Sequence, residues 1–151
     1  LKRLCDTIVP AAERTLDAPP VHRILAGYSL AGLFALWSSM QTDTFTQVAS
    51  VSGSLWFPGL IDYAREHEDA LNLDALYLSL GKKETRTPNR MMRHVQENTQ
   101  QIQELARKHG IACTFEFNPG NHFSQPDWRC AKGIAWLLRH KPESNSAADQ
   151  I

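Results

Sequence analysis

Along residues 1–139 the apolar side chains keep changing period, from helical spacing to short strand-like runs and back, and few folds accept such an alternation. Leu1, Leu4, Cys5, Ile8, Ala12 and Leu16 recur at helical spacing, with Pro10 as a kink. Asp17-Ala18-Pro19-Pro20 ends that helix, and an extended run over 21–27 follows. Residues 30–40 are apolar nearly all round, the pattern of a buried helix, and QVASVS at 47–52 reads as a strand. A helix over 59–70 leads to a strand at 75–80, ALYLSL. Thr87-Pro88 offers a capping hydroxyl and a proline at the first helical position. The helix it opens has Met91, Val95, Ile102, Leu105 and Ala106 as its buried stripe and Gly110 as its stop. ACTFEF at 112–117 is a fourth strand, and 126–139 is a last helix expected to bury Trp128, Ala131, Ile134, Ala135 and Leu138. The expected division is a domain over 1–140 and a polar, frayed tail over 141–151.

Strands that alternate with helices form a parallel sheet with helices on both faces, a three-layer α/β arrangement. Ligands of such sheets bind beyond the carboxyl ends of the strands. The polar residues of this chain collect there: Ser29 after the first strand, Ser52-Gly53-Ser54 after the second, 81–84 after the third and 118–122 after the fourth.

The first of these junctions carries the sharpest signal. In AGYSLAG a single hydroxyl stands where a strand pattern turns into a helix pattern, with Gly27 two residues before Ser29 and Ala31 two after. A nucleophile on such a turn is exposed at the top of the sheet, beside the free N–H groups of a helix N-terminus, and the turn needs small neighbours because the backbone folds onto itself. The pattern alone turns up by chance in about one chain in ten of this length at average residue usage. Its context is more telling, because Ser29, Glu84 and His122 follow in the order nucleophile, acid, histidine.

Composition narrows the partners. Sixteen Lys+Arg balance sixteen Asp+Glu, so no net field favours nucleic acid or an anionic membrane, and a small molecule is the expected partner. Cys5, Cys113 and Cys130 are odd in number and form no CxxC pair, which argues against a disulfide framework or a zinc site and for a reducing, cytoplasmic setting. No run of eighteen apolar residues and no leader pattern is visible, so no membrane association is expected.

The chain resembles the putative-esterase branch of the α/β-hydrolase fold, which includes the enterochelin (siderophore) esterases and esterase-D-like enzymes. The resemblance rests on AGYSLAG, VSGSLWFPG, YLSLGKKETRTPN and FEFNPGNHF followed by RCAKGIAWLL, and it spans nearly all of residues 1–138. It implies the C-terminal portion of that fold, a serine carboxyl-ester hydrolase acting on siderophore-type esters or lactones, and no metal or other cofactor. It also implies that Glu84 of the G-x-x-acid turn is the acid and His122 of the Gly-x-His loop the base. Some relatives work with a Ser-His dyad, so Glu84 stands between orienting acid and a surface carboxylate paired with Lys82 or Arg86. The N–H of Leu30 is one oxyanion donor. The resemblance assigns the second to a loop of strands upstream, so the partners expected are that upstream half of the fold or self-association through a bare edge at 21–27. Acyl transfer to an alcohol uses the same residues, and a non-catalytic half-domain is the remaining alternative.

Other side chains at the strand ends have two readings. Ser52, Ser54 and Trp56 are turn and packing residues or substrate contacts. Lys82, Lys83, Arg86 and Arg90 form a solvated loop or attract an anionic or catecholate substrate. The remaining histidines, His22, His67, His94, His109 and His140, sit before a strand or on and at the ends of helices, where no chemistry is expected of them.

Overall fold

A computed structural model of the protein describes residues 1–140. Four strands, β1 (Ile24–Tyr28), β2 (Gln47–Val51), β3 (Ala75–Gly81) and β4 (Ala112–Asn118), lie side by side in the order β1-β2-β3-β4, and each pair is parallel. The connecting helices are α2 (Leu30–Ser39), α3 (Leu60–Glu66) with a 3-10 turn at Glu68–Ala70, and α4 (Val95–Lys108); α5 (Pro126–Arg139) follows β4. Alternate residues of the strands feed two cores. Val48, Leu76 and Leu78 pack with Ala35 and Leu36 of α2, Ala64 of α3 and Ile102 and Ala106 of α4. Ala49, Val51, Ala75 and Tyr77 pack on the opposite face with Leu137 of α5. The three layers expected from the alternation are therefore present, and every residue of β2 and β3 is buried, as central strands of a parallel sheet must be.

The boundaries differ where pairing or proline decides them. The first strand starts at Ile24 rather than 21, because Ile24 is the first residue opposite β2, in register with Gln47. Val21 is 86% exposed instead. At the N-terminus the helix begins as a π turn, Leu4–Ile8, in which the Val9 N–H reaches back to Leu4 O, and continues as α1 (Val9–Glu13). Pro10 supplies no N–H and its ring crowds the preceding turn, so the wider turn falls before it. Neither segment buries a residue. The helix expected to start at Thr87-Pro88 starts later, with a 3-10 turn at Met92–His94, and Met91 is exposed. Ahead of it Asn89 Oδ1 accepts from Met91 N at 3.0 Å and Met92 N at 3.4 Å. The C-terminal tail lies outside the described residues.

Two helices present other faces than their apolar patterns suggest. α2 is not buried all round: Leu30 is exposed, and Leu33, Phe34 and Trp37 line an open apolar groove with Phe57 and Tyr63. In α5 the buried residues are Arg129, Gly133 and Leu137, spaced by four, while Trp128, Ile134 and Leu138 face outward. Gly133 explains this orientation. A Cβ there would come within 2.8 Å of the Tyr77 ring, so the sheet receives the helix face that carries glycine, and the bulkier stripe turns away.

Candidate active site

The turn from β1 into α2 holds Ser29 at φ 58°, a left-handed conformation that a non-glycine residue adopts only under tertiary constraint. The constraint is explicit: Ser29 N donates to Val51 O at 3.0 Å, and Ser29 O accepts from Leu33 N at 3.1 Å and from Ser54 N at 3.0 Å. Gly27 makes the fold-back possible, since a Cβ on it would lie 2.1 Å from Ala31 O. Leu30, the first residue of α2, has an N–H with no acceptor within the helix, as at any helix start.

The other strand ends bring their loops to the same place. After β2, Ser52 takes φ 46° and turns the chain toward Ser54, whose hydroxyl lies 3.5 Å from that of Ser29. After β3, the turn to Glu84 is closed by Glu84 N to Gly81 O at 3.0 Å. It is fastened to the loop after β4 by Lys82 N to Asn118 O at 2.9 Å and Lys83 N to Gly120 O at 3.0 Å. Within that loop Asn121 Oδ1 accepts from Phe123 N at 2.9 Å, which fixes the backbone on either side of His122.

The three candidate residues are hydrogen-bonded in series. Glu84 accepts from His122 Nδ1 at 2.9 Å through Oε2, and His122 Nε2 lies 3.0 Å from Ser29 Oγ. The side chain of Glu84 is 4% exposed, so burial pushes its pKa up. Donors from His122, the Gly81 N–H, Ser52 and Arg129 outweigh burial and bring it down to about 2. Glu84 is thus ionised and can only accept. The proton between it and the ring therefore belongs to Nδ1, leaving Nε2 to accept from Ser29. Such a series can draw a proton from a hydroxyl onto an imidazole whose charged form the carboxylate favours.

Of the two sequence readings of Glu84, the surface pair with Lys82 or Arg86 is not the one found; its partners are His122 and Arg129. Ser52, expected as a turn residue or substrate contact, borders the cavity above Ser29 but is 1% exposed, and its hydroxyl donates to Glu84 Oε1 at 2.7 Å. Trp56 and Arg86 do line that cavity, of about 370 Å³, with Lys83 and Phe123; Lys82 and Arg90 are not among its walls. Arg129 is legible in the sequence only as part of RCAKGIAWLL, with no role of its own. Its signal is its spacing of four from Gly133 and eight from Leu137, which marks the close-packed face of α5. Tyr28, inside the serine motif, was equally silent; its hydroxyl donates to the His122 carbonyl. No helix among the described residues is long and apolar enough to cross a membrane.

Comparison with known proteins gives the family and the fold. The family model described as Putative esterase matches residues 2–131. The Bacillus subtilis (strain 168) protein YbbA is 22% identical over 114 residues, 74% of this chain and 46% of YbbA. Among solved structures, the enterobactin esterase FES from Shigella flexneri superposes with a TM-score of 0.70 at 22% identity, over 90% of this chain and 37% of that one. A ferulic acid esterase gives 0.69 at 16% identity, over 93% and 61%. The acylaminoacyl peptidase of Pyrococcus horikoshii gives 0.60 at 12% identity, over 95% and 28%. The chain spans less than half the length of YbbA and of FES.

Proposed function

The chain belongs to the Putative esterase family, and from that premise we propose that it carries the reacting residues of a serine carboxyl-ester hydrolase, with Ser29 as nucleophile, His122 as general base and acid, and Glu84 as the carboxylate that orients the ring. The observation behind this reading is the hydrogen-bonded series from Ser29 Oγ through both ring nitrogens of His122 to Glu84, assembled from the ends of β1, β3 and β4. Ser29 Oγ attacks the ester carbonyl as His122 Nε2 takes its proton. The tetrahedral oxyanion is held by the N–H of Leu30 at the start of α2, and by a second donor that the family resemblance assigns to a loop upstream of this segment. His122 returns the proton to the leaving alcohol. Water then attacks the acyl carbonyl as Nε2 takes its proton, and Nε2 passes that proton to Ser29 Oγ as the C–Oγ bond breaks and the acid leaves.

The substrate class proposed is a siderophore-type ester or lactone, or a comparable aromatic ester. The walls of the cavity support it: Trp56 and Phe123 offer flat apolar surface, and Lys83 and Arg86 set positive charge at the same mouth. The names of the enterobactin and ferulic acid esterases point the same way. The test is turnover of aliphatic, aromatic and catecholate esters by the whole protein and by Ser29→Ala and His122→Ala. Both variants are expected to lose nearly all turnover, and aromatic esters to be preferred. Retention of ester turnover by Ser29→Ala would remove the reading.

A further inference from the structure

Among the described residues Arg129 heads the largest fully buried side chains, 1% exposed, yet it belongs to no part of the reaction described above. A guanidinium enters a protein interior only where its donors are met, because the solvation it gives up is large. Here the two ends of its fork are met by different loops. Nη2 donates to Glu84 Oε1 at 2.9 Å and to the Ser52 hydroxyl. Nη1 reaches Tyr28 Oη at 3.1 Å, Asn121 O at 3.3 Å and Ser124 O at 3.4 Å, while Tyr28 Oη in turn donates to His122 O. Nε has no partner among the described residues, so the side chain is held through its tip alone. Behind it, Gly133 and Leu137 seat α5 against the sheet.

The two oxygens of Glu84 are divided by this arrangement. Oε1 accepts from Arg129, Ser52 and the Gly81 N–H, and Oε2 accepts from His122 Nδ1. We propose that Arg129 is a positioning residue for ester hydrolysis: one guanidinium ties the turn that carries Glu84 to the loop that carries His122, fixing the carboxylate so that only Oε2 faces the ring. The inference rests on the reading of Glu84 and His122 as acid and base. A planar fork meets both partner sets at once, whereas a lysine ammonium satisfies one at a time. Without the fork the loops keep the backbone bonds of Lys82 and Lys83 that join them, but the carboxylate loses the charged donor on Oε1, and Oε2 drifts relative to Nδ1.

A double-mutant cycle in the whole protein tests this, with kcat and KM measured for one activated ester in Arg129→Met, Arg129→Lys, Glu84→Gln and the pair Glu84→Gln/Arg129→Met. Arg129→Met is expected to lower kcat about 10²-fold, the scale of a small misplacement at a reacting centre, with KM within about threefold. In the Glu84→Gln background the same change is expected to cost less than about threefold, because the residue it acts through is already gone. Arg129→Lys should recover part of kcat. If Arg129→Met unfolds the protein by circular dichroism, Arg129→Lys in the two backgrounds closes the same cycle. Equal losses with and without Glu84, or a loss carried by KM, overturn the inference. So does a costly Arg129→Met beside a Glu84→Gln of wild-type turnover, an outcome that leaves Ser29 and His122 in their roles. Failure of the underlying reading has its own signature, turnover retained by Ser29→Ala, and the inference falls with it.

Discussion

His122 Nδ1 stands 2.9 Å from Glu84 Oε2, and this one contact crosses from the loop after β4 to the turn after β3. It separates a three-residue system from a serine-histidine dyad. A buried carboxylate with three donors on Oε1 has no reason to be there for solubility, and its other oxygen is left to the ring. On the proposed mechanism, Glu84→Gln presents an amide that can hold the imidazole in the wrong tautomer and cannot balance its charge. The expected loss in kcat is on the order of 10³-fold, measured on the whole protein with folding checked by circular dichroism. Turnover within about tenfold of wild type would return the site to a dyad.

The same carboxylate makes stability depend on acid. Its folded pKa, about 2, lies below the ordinary 4.5, so the folded state releases its proton more readily than the unfolded one. The stabilisation it contributes is complete above pH 4.5 and fades as the pH falls toward 2. Glu13, Glu68 and Glu116, also lowered, add to the trend. Thermal unfolding followed across this range should therefore show a steeper fall of Tm for the wild type than for Glu84→Gln, which has no proton to gain at that position. Parallel curves would mean that Glu84 is not held as an ion.

Gly27 should tolerate no side chain. The added Cβ meets Ala31 O at 2.1 Å and Ala31 C at 2.3 Å, both backbone atoms that cannot step aside without unwinding the first turn of α2. Gly27→Ala is expected to cost more than about 3 kcal/mol in denaturant unfolding, at the upper end of single substitutions, and to abolish turnover by displacing Ser29. A stable, active Gly27→Ala would show that the turn has another solution.

The layered fold, the strand ends and the three candidate residues were all legible in the sequence, for a physical reason. Central parallel strands are buried on both faces, so ALYLSL and QVASVS are apolar or small throughout and stand out against helical spacing. Gly27 and Gly120 are required by local geometry, which also writes itself into local sequence. What stayed hidden depends on distant residues. The buried face of α5 is chosen by the Tyr77 ring against Gly133, so counting apolar residues selected Trp128, Ile134 and Leu138, which face outward. Arg129 has no visible role until Glu84, Tyr28 and Ser124 are gathered around it. α4 starts later than Thr87-Pro88 suggests because Asn89 Oδ1 takes up the Met91 and Met92 N–H groups and a 3-10 turn intervenes before Val95.

The outer edge of β1 has no neighbouring strand among the described residues, and Ala26 in its middle is exposed. An unpaired edge of this kind is a template for further strands. We propose that it is covered by the upstream half of the fold that the family resemblance implies. Residues 1–151 produced alone are therefore expected to associate with one another or to be poorly soluble in light scattering and sedimentation. A strictly monomeric sample with a cooperative unfolding transition would mean that this edge needs no partner.

The central claim is that Ser29 is the nucleophile, and covalent capture tests it most directly. The whole protein is treated with a fluorophosphonate, digested, and the modified peptide sequenced by mass spectrometry, beside a His122→Ala control. The account predicts a single adduct on Ser29, sharply slowed in His122→Ala because the hydroxyl then has no base at 3.0 Å. An adduct on Ser38, Ser39, Ser52 or Ser54 with Ser29 unmodified would contradict it.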